Sequence, residues 1–207
     1  MQDLKSIYKK NDSFTEYFKN YTTKLSSILK KLESKDVKKV IQLFQDARNN
    51  EQTIFLIGNG GSAATCSHFS EDTSFGAYNP DKKPFKTICL ADNSPYITAL
   101  GNDIGYENVF LGQLRCLMQK DDIVVGISGS GNSPNLIKAI EYANKNGGIT
   151  IGMLGFDGGK MKDICQYNVI VETEKGLYAI VEDIHLILTH MISSFLLLKQ
   201  NENNYIN

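Results

Sequence analysis

The segment Thr53-Ile-Phe-Leu-Ile-Gly-Asn-Gly-Gly-Ser62 decides the fold class, because a short apolar run passes directly into a glycine-rich loop. Four further apolar runs follow along the chain, at residues 87–90, 123–127, 149–154 and 169–171. Strands that lack polar alternation and are separated by helical stretches are typical of a parallel sheet covered on both faces. We therefore predict an α/β fold in which five parallel strands are flanked by helices in three layers.

The first fifty residues have a different pattern, rich in Lys, Asn, Ser and Asp. Apolar residues recur there at helical spacing, as at Leu25, Ile28, Leu29 and Leu32. This spacing predicts two or three amphipathic helices, with turns near Asn11–Asp12 and Glu33–Ser34. We expect residues 1–50 to form a helical extension that either caps the core or packs on a partner subunit, and residues 51–207 to form the main domain.

Composition excludes several classes of protein. The 207 residues are 42% hydrophobic and 22% charged, which is ordinary for a globular domain and excludes disordered, collagenous and coiled-coil chains. Lys and Arg number 22 against 23 Asp and Glu, for a net charge of −1. Because a nucleic-acid surface needs a basic excess, we expect no nucleic-acid partner.

The cellular location follows from the cysteines and the apolar runs. No run reaches the roughly 18–20 residues of a membrane-spanning helix, and the start of the sequence lacks a signal-peptide core. The four cysteines are widely spaced and form no CxxC pair: Cys66, Cys89, Cys116 and Cys165. Free thiols are the simpler interpretation. We expect a soluble cytoplasmic protein without a membrane partner.

The loop after the third apolar run, Ser128-Gly-Ser-Gly-Asn-Ser133, points to phosphate binding. Three hydroxyl groups and the backbone of two glycines could surround one phosphate with hydrogen-bond donors. The alternative is that Ser133 caps the helix beginning near Pro134 and the other serines fill a turn, but capping accounts for only one serine. No P-loop lysine follows, so a phosphomonoester of a small molecule fits better than a nucleoside triphosphate.

The first glycine loop formally matches the dinucleotide fingerprint G-x-G-x-x-A, from Gly58 to Ala63. That fingerprint expects an acidic residue about 20 positions further on, at the end of the second strand. Tyr78 stands at that distance, and Asp92 lies much too far along. Anion binding at the following helix and an ordinary tight turn therefore remain the alternatives.

The histidines lie in two helical segments. His68 and Asp72 share one face of the helix after the first glycine loop, since they are four residues apart. The last helix, about Tyr178 to Lys199, is apolar almost all round, so we expect it to be buried, in the core or between subunits. Its polar residues then need partners: Glu182, Asp183, His185 and His190. A zinc or acid–base set and structural hydrogen bonds are the two interpretations.

These motifs, taken in order, resemble a sugar isomerase (SIS) domain and, more closely, the phosphoheptose isomerase family. The residues that carry the resemblance are Gly58-Asn-Gly-Gly-Ser-Ala63 with His68, Ala91-Asp-Asn-Ser94, Gly101-Asn-Asp-Ile-Gly-Tyr106, Gly126-Ile-Ser-Gly-Ser-Gly-Asn-Ser-Pro-Asn135, Gly155-Phe-Asp-Gly-Gly-Lys160 and the helix from Glu182 to His190. The resemblance covers nearly the whole chain. It implies a five-stranded parallel sheet and a homotetramer whose active sites lie between subunits.

The resemblance also implies an activity, the isomerisation of D-sedoheptulose 7-phosphate to D-glycero-D-manno-heptose 7-phosphate for bacterial surface polysaccharide. It assigns phosphate or sugar binding to Asn59, Gly60, Ser62, Asp92, Asn93, Ser128, Ser130, Ser133 and Glu182. It assigns a Zn²⁺ ion, or a similar divalent metal, to His68, Asp72, Glu182 and His190. Asp72 would be the base and His190 the acid of the proton transfer.

Four positions depart from the family pattern. Asp72 stands where the family has a catalytic Glu, and Glu182 where it has Gln. Gly76 and Ile180 stand where it has Arg. A non-catalytic SIS protein that binds a sugar phosphate or scaffolds a partner is the alternative function. The two histidines and two carboxylates favour the enzyme, because a scaffold needs no proton-transfer set.

Overall fold

The computed structural model describes residues 7–9 and 13–201. Its strands are β1 (Thr53–Gly58), β2 (Lys86–Cys89), β3 (Ile123–Ser128), β4 (Ile149–Gly155) and β5 (Tyr167–Val171). Its α-helices are α1 (Phe14–Leu29), α2 (Ser34–Asn49), α3 (Gly61–Glu71), α4 (Ser94–Ile104), α5 (Val109–Leu117), α6 (Pro134–Lys145), α7 (Gly159–Ile164) and α8 (Tyr178–Asn201). A π-helical turn, Asp72–Gly76, continues α3, and a 3₁₀ turn, Tyr106–Asn108, follows α4.

The strands form one parallel sheet in the order β2-β1-β3-β4-β5, as predicted. Only β5 begins clearly earlier than expected, because Tyr167 and Asn168 already pair with Ile151 and Gly152 of β4. The chain leaves β1 toward one edge of the sheet and returns to place β3 on the other side of β1. The loops after β1 and β3 therefore diverge, and such a switch point is where open α/β sheets bind ligands.

The core lies on both faces of the sheet. Successive residues of a strand point to opposite faces. Ile54 of β1 accordingly packs in the cluster with Phe44 of α2 and Ile184 of α8. Its neighbour Phe55 packs in the cluster with Ile140 of α6. Helices α1, α2, α3 and α8 cover one face and α4 to α7 the other, which gives the predicted three layers.

The N-terminal helices belong to this core. Helix α1 starts with a capping box, in which Ser13 N–H donates to Glu16 at 2.8 Å and Glu16 N–H donates to Ser13 Oγ at 3.3 Å. Tyr21 Oη donates to Asp183 of α8 at 2.5 Å. The turn at Glu33–Ser34 is confirmed. The turn near Asn11–Asp12 lies outside the described residues. The segment thus caps the core, and its division from the domain at residue 50 stays a prediction.

Helix α8 is half buried within the single chain, so the expected burial holds for its core side, and burial of the other side between subunits stays a prediction. Ile180, Ile184 and Leu188 face the core, whereas Met191 and Phe195 are about half exposed. The segment Tyr178–Gln200 is long and apolar enough to span a membrane by length and composition alone, which our sequence criterion missed. Its packing on α3 and on the sheet is that of a core helix.

Candidate active site

The serine loop, Ser128–Ser133, is braced by its own backbone. The Gly131 N–H donates to Ser128 Oγ at 3.0 Å, and the Asn132 N–H donates to Ser130 Oγ at 3.3 Å. A hydroxyl group has one proton and two acceptor positions. Each hydroxyl that accepts a backbone bond therefore keeps its proton for a ligand.

Ser133 does not act as a simple helix cap. It occupies the N-cap position of α6, before Pro134, but its side chain makes no capping hydrogen bond. Its hydroxyl is instead free to line the same cavity as the other serines. The alternative in which Ser133 serves only α6 is therefore not supported by the geometry.

These hydroxyls open into a cavity of about 180 Å³, which we call the serine pocket. The loop after β1, the loop after β3 and the start of α8 build its walls. It is lined by Asn59, Ser62, Ile127, Ser128, Gly129, Ser130, Ser133, Tyr178 and Glu182. Six of the nine predicted substrate-binding residues line this pocket, and the N-terminus of α3 adds the positive end of a helix dipole.

The other three predicted substrate-binding residues, Gly60, Asp92 and Asn93, do not line the serine pocket. Gly60 is the N-cap residue of α3 and has a positive φ of 54°. Asp92 is exposed after β2 and accepts a hydrogen bond from Ser67 Oγ at 3.1 Å. Asn93 caps α4, accepting from the Tyr96 N–H at 3.3 Å. Their roles in binding stay predictions.

The carboxylate of Glu182 lies against the first residue of α3. A Cβ atom at Gly61 would collide with this carboxylate, so any larger residue there would displace the Glu182 side chain. Burial, and to a lesser extent the neighbouring Asp183, raises the pKa of Glu182. This carboxylate shares the pocket with the hydroxyls of three serines, so it would repel an anion bound there.

Three other predicted residues form a second group, which we call the His–Asp group. The Nε2 atoms of His68 and His190 lie 3.6 and 3.7 Å from the two carboxylate oxygens of Asp72, and 3.4 Å from each other. His68 comes from α3, and Asp72 opens the π-helical turn that follows it. His190 comes from the facing helix α8. π-helical turns of this kind occur often at functional sites.

The His–Asp group offers ligand atoms that all lie within 4.8 Å of one another, close enough for one metal ion. Two imidazoles and a carboxylate suit zinc. Glu182, the fourth predicted ligand, is not in this group. It precedes His190 by eight residues on one helix, a rise of about 12 Å, so the two side chains of a single chain lie in different sites.

Two other polar residues of α8 lie outside both groups, and of these Asp183 has the partner that the sequence analysis expects, the hydroxyl of Tyr21. Asp183 is exposed, and its bond from Tyr21 is one cause of the raised pKa of that phenol, after burial. His185 is fully buried, yet neither ring nitrogen has a hydrogen bond of normal geometry among the described residues. Burial lowers the pKa of His185 to about 4, opposed in part by the backbone of Leu154.

The two positions where arginine is replaced lie in different surroundings. Gly76 borders a cavity of about 270 Å³ beside Asp72 and His190. Ile180 is fully buried in the apolar core. Gly76, in place of the expected arginine, leaves open space next to the His–Asp group. Ile180, in place of the other arginine, is an apolar side chain that forms part of the core.

Three residues that line the serine pocket were not among the predicted substrate-binding residues: Ile127, Gly129 and Tyr178. A Cβ atom at Gly129 would come within 2.8 Å of the Tyr178 ring. The glycine in this loop was a signal that a large side chain lies close by. Tyr106 bonds to Asn59 from outside the pocket, and only its place in a recognised motif hinted at a role.

Comparison with known proteins agrees with this fold. The SIS domain model matches residues 16–155. A phosphoheptose isomerase of a Nitratiruptor species is 37% identical over 151 residues, covering 73% of this chain and 79% of that protein. One of Helicobacter pylori is 34% identical over 176 residues, covering 84% and 90%. The structure of phosphoheptose isomerase from Neisseria gonorrhoeae superimposes with a TM-score of 0.81 at 26% identity, covering 89% of this chain and 98% of that one.

A parallel sheet with a serine-rich pocket at its switch point, matched by the SIS domain model, makes this a SIS-domain protein. More particularly, the chain belongs to the phosphoheptose isomerase family.

Proposed function

We propose that this protein is an aldose–ketose isomerase that converts D-sedoheptulose 7-phosphate to D-glycero-D-manno-heptose 7-phosphate. The observation that carries the proposal is the Asp72 carboxylate held between two imidazoles, on the same helix that opens at the serine pocket. Relatives that carry the name phosphoheptose isomerase align over most of the chain. Surface-polysaccharide synthesis in the bacterial cytoplasm is the setting that we propose for the product.

The spacing of the two sites suits a sugar that carries its phosphate far from its carbonyl. Ser62 lines the serine pocket, and His68 lies six residues further along α3, a rise of about 9 Å. In a heptose 7-phosphate the phosphate and the reacting carbons are at opposite ends of a seven-carbon chain. Phosphate at Ser128, Ser130 and Ser133 would therefore direct the carbonyl end toward the His–Asp group.

The chemistry requires one proton to move between neighbouring carbons. Asp72 would remove the proton from the carbon beside the carbonyl, giving an ene-diol, and the proton would return to the adjacent carbon. His190 would supply and recover the proton on the oxygen. Aspartate reaches one methylene less far than the family's glutamate, so the substrate must approach α3 more closely.

The donor set of the His–Asp group fits a divalent metal, and we propose Zn²⁺ held by His68, Asp72 and His190. When bound, such an ion stabilises negative charge that develops on the substrate oxygen. Glu182 as a fourth ligand stays a prediction. The test is metal analysis of protein purified without chelator. The double variant His68→Ala/His190→Ala should lose the metal, and unchanged metal content would place the site elsewhere.

Turnover of D-sedoheptulose 7-phosphate tests the catalytic assignment. His190→Asn and Asp72→Asn keep size and hydrogen bonding but remove the acid and the base, so both should abolish isomerisation while the oligomer survives. Light scattering checks the assembly, and Ser27→Ala, an exposed change on α1, is the control. Full activity in either site variant would remove that residue from the mechanism.

The non-catalytic alternative makes a different prediction for the parent protein. A scaffold or sensor would bind a ketose phosphate but turn none over, with or without added divalent metal. We also propose the homotetramer with active sites between subunits. Support for it comes from the apolar residues that α8 leaves exposed, such as Met191 and Phe195.

A further inference from the structure

The side chain of Asn59 is held by a reciprocal amide pair. Asn59 Nδ2 donates to Asn135 Oδ1 at 3.0 Å, and Asn135 Nδ2 donates to Asn59 Oδ1 at 2.8 Å. Asn59 follows β1, and Asn135 lies in the first turn of α6, so the pair bridges the switch point of the sheet. Asn135 is 2% exposed, and the pair is therefore protected from water.

The orientation of both amides follows from one backbone donor. The Leu136 N–H donates to Asn135 Oδ1 at 3.0 Å, and a backbone N–H cannot accept. The oxygen of Asn135 must therefore occupy that position, which leaves its nitrogen facing Asn59. Because Asn135 Nδ2 is a donor only, the atom of Asn59 opposite it must be the oxygen. Neither amide can be reversed without losing hydrogen bonds.

Tyr106 adds a second donor to the same oxygen. Its hydroxyl donates to Asn59 Oδ1 at 3.0 Å. Gly105, with a φ of 93° that favours glycine, ends α4 and turns the chain toward Asn59. Lys138 of α6 holds this 3₁₀ turn through an ion pair with Glu107 at 3.5 Å and a hydrogen bond to Asn108 at 3.2 Å. The turn is thus fastened to the helix that carries Asn135.

The hydrogen-bond inventory of Asn59 then determines what it can offer a ligand. Both acceptor positions of its oxygen are occupied, by Asn135 and Tyr106. One of its two N–H groups is bound to Asn135, and the other remains for the serine pocket that Asn59 lines. We propose that Asn135 and Tyr106 are positioning residues that fix Asn59 as a hydrogen-bond donor toward an acceptor oxygen of the bound sugar phosphate.

This inference rests on the proposed function for the identity of the ligand, but its geometric basis is independent of it. It predicts that the pocket wall at Asn59 offers a hydrogen-bond donor, so that a carbonyl, phosphate or deprotonated oxygen of the ligand binds there. A ligand group that can only donate a hydrogen bond has no acceptor on the Asn59 side chain. Neither Tyr106 nor Asn135 lines the pocket, so both act through Asn59.

A double-mutant cycle tests the proposal with D-sedoheptulose 7-phosphate as the probe. Tyr106→Phe removes one donor from an exposed residue, so the fold should survive, and kcat/KM should fall about fivefold to tenfold. In an Asn59→Ala background the same change should have no further effect, because Tyr106 acts only through Asn59. Tyr142→Phe, further along α6, is the matched control. No effect of Tyr106→Phe in the parent, or an equal effect in both backgrounds, would overturn the proposal.

Asn135→Asp provides the stronger change, because a carboxylate cannot donate to Asn59. KM should rise more than for Tyr106→Phe, in the fraction of enzyme that remains folded. A purely structural role would lower the melting temperature and leave the KM of folded enzyme unchanged, which would contradict the proposal.

The side-chain amide signal of Asn59 in an NMR spectrum separates this inference from the proposed function. The signal is identified by its loss in Asn59→Ala, and it should shift in Tyr106→Phe but not in Tyr142→Phe. If the parent turned over no ketose phosphate, the proposed function would fail while the signal still tested the positioning. An Asn59 signal unchanged in Tyr106→Phe would refute the positioning whatever the activity.

Discussion

The sequence could predict the surroundings of some side chains in the two sites but not of others. His68, Asp72 and the serines stand in short motifs on one loop or one helix, so their neighbourhood is local and could be predicted. The pairing of Asn59 with Asn135 joins residues 76 positions apart. No spacing rule predicts such a contact, because it depends on how two loops meet across the sheet.

The serine hydroxyls should contribute to phosphate affinity rather than to folding. Replacing Ser128 and Ser130 with Ala should weaken the binding of D-sedoheptulose 7-phosphate by about 1.5–3 kcal/mol for each lost bond to a charged group. Calorimetry measures the affinity, and thermal melting checks the loop, since Ser128 Oγ also accepts from Gly131. Ser27→Ala is again the control. Equal affinity and equal melting temperature would show that the loop is only a turn.

The variant Glu182→Gln tests whether Glu182 acts as a residue of the serine pocket or as a metal ligand. Glu182→Gln keeps the shape, fits against Gly61 and removes a negative charge from the serine pocket. We expect tighter binding of the sugar phosphate at neutral pH, by about 1 kcal/mol, because like charges no longer face each other. Metal content should stay the same. A variant that loses metal would instead identify Glu182 as a ligand, contributed to the site of another subunit.

At the scale of whole elements, periodicity predicted the strands and α8 within two or three residues but not what surrounds them. Apolar runs specify that a segment is buried, and the burial of β1, β3 and β4 agrees. The π-helical turn at Asp72 could not be predicted from such a pattern. It differs from an α-helical turn by one extra residue, and one extra residue does not change the composition of the segment. Nor could the sequence show which side of α8 packs on the core, since an apolar residue looks the same whether the core, another subunit or solvent is next to it.

His185 should make the stability of α8 sensitive to acid. Its folded pKa of about 4 lies below the ordinary 6.5 of the unfolded chain. Between these values the unfolded state binds more protons, so stability is present above about pH 6.5 and falls as the pH drops toward 4. At pH 5 the loss from this residue amounts to about 2 kcal/mol.

Replacing His185 with leucine should remove that loss. Leucine is similar in size and leaves no unpaired nitrogen in the core, so His185→Leu should be at least as stable as the parent at pH 7.5 and less sensitive to pH 5. Urea unfolding at the two pH values measures the difference between parent and variant, in which other titrating groups cancel. Parallel losses of stability in the two proteins would show that His185 does not titrate on unfolding.

For the whole molecule, the sequence predicted the fold class and the three layers, because strand composition and switch-point topology restrict the possible α/β folds. It could not separate Glu182 from His190, although both are on α8. The spacing gives their distance along the helix, but which of the two faces the His–Asp group depends on where α8 lies against α3 in the packed molecule.

One face of the molecule has the character of a subunit interface. Helices α1, α2 and α8 enclose an apolar groove of about 470 Å³, lined by Leu32, Val37, Ile41 and Phe195 among others. Phe195 is 47% exposed and Met191 54%, on the helix that also carries His190. Exposed apolar surface beside a site is typical of an interface between subunits. Light scattering should therefore show a tetramer in the parent.

Met191→Asp/Phe195→Asp should dissociate that tetramer, because two charges would be buried without partners at the interface. Turnover should fall with it if the active site is completed between subunits, and added metal should not restore it. Leu117→Asp, at an exposed apolar position on α5 outside the groove, is the matched control and should leave both properties intact. An intact tetramer in the double variant would place the subunit interface on another face. Dissociation with full turnover would show that each chain holds a complete site.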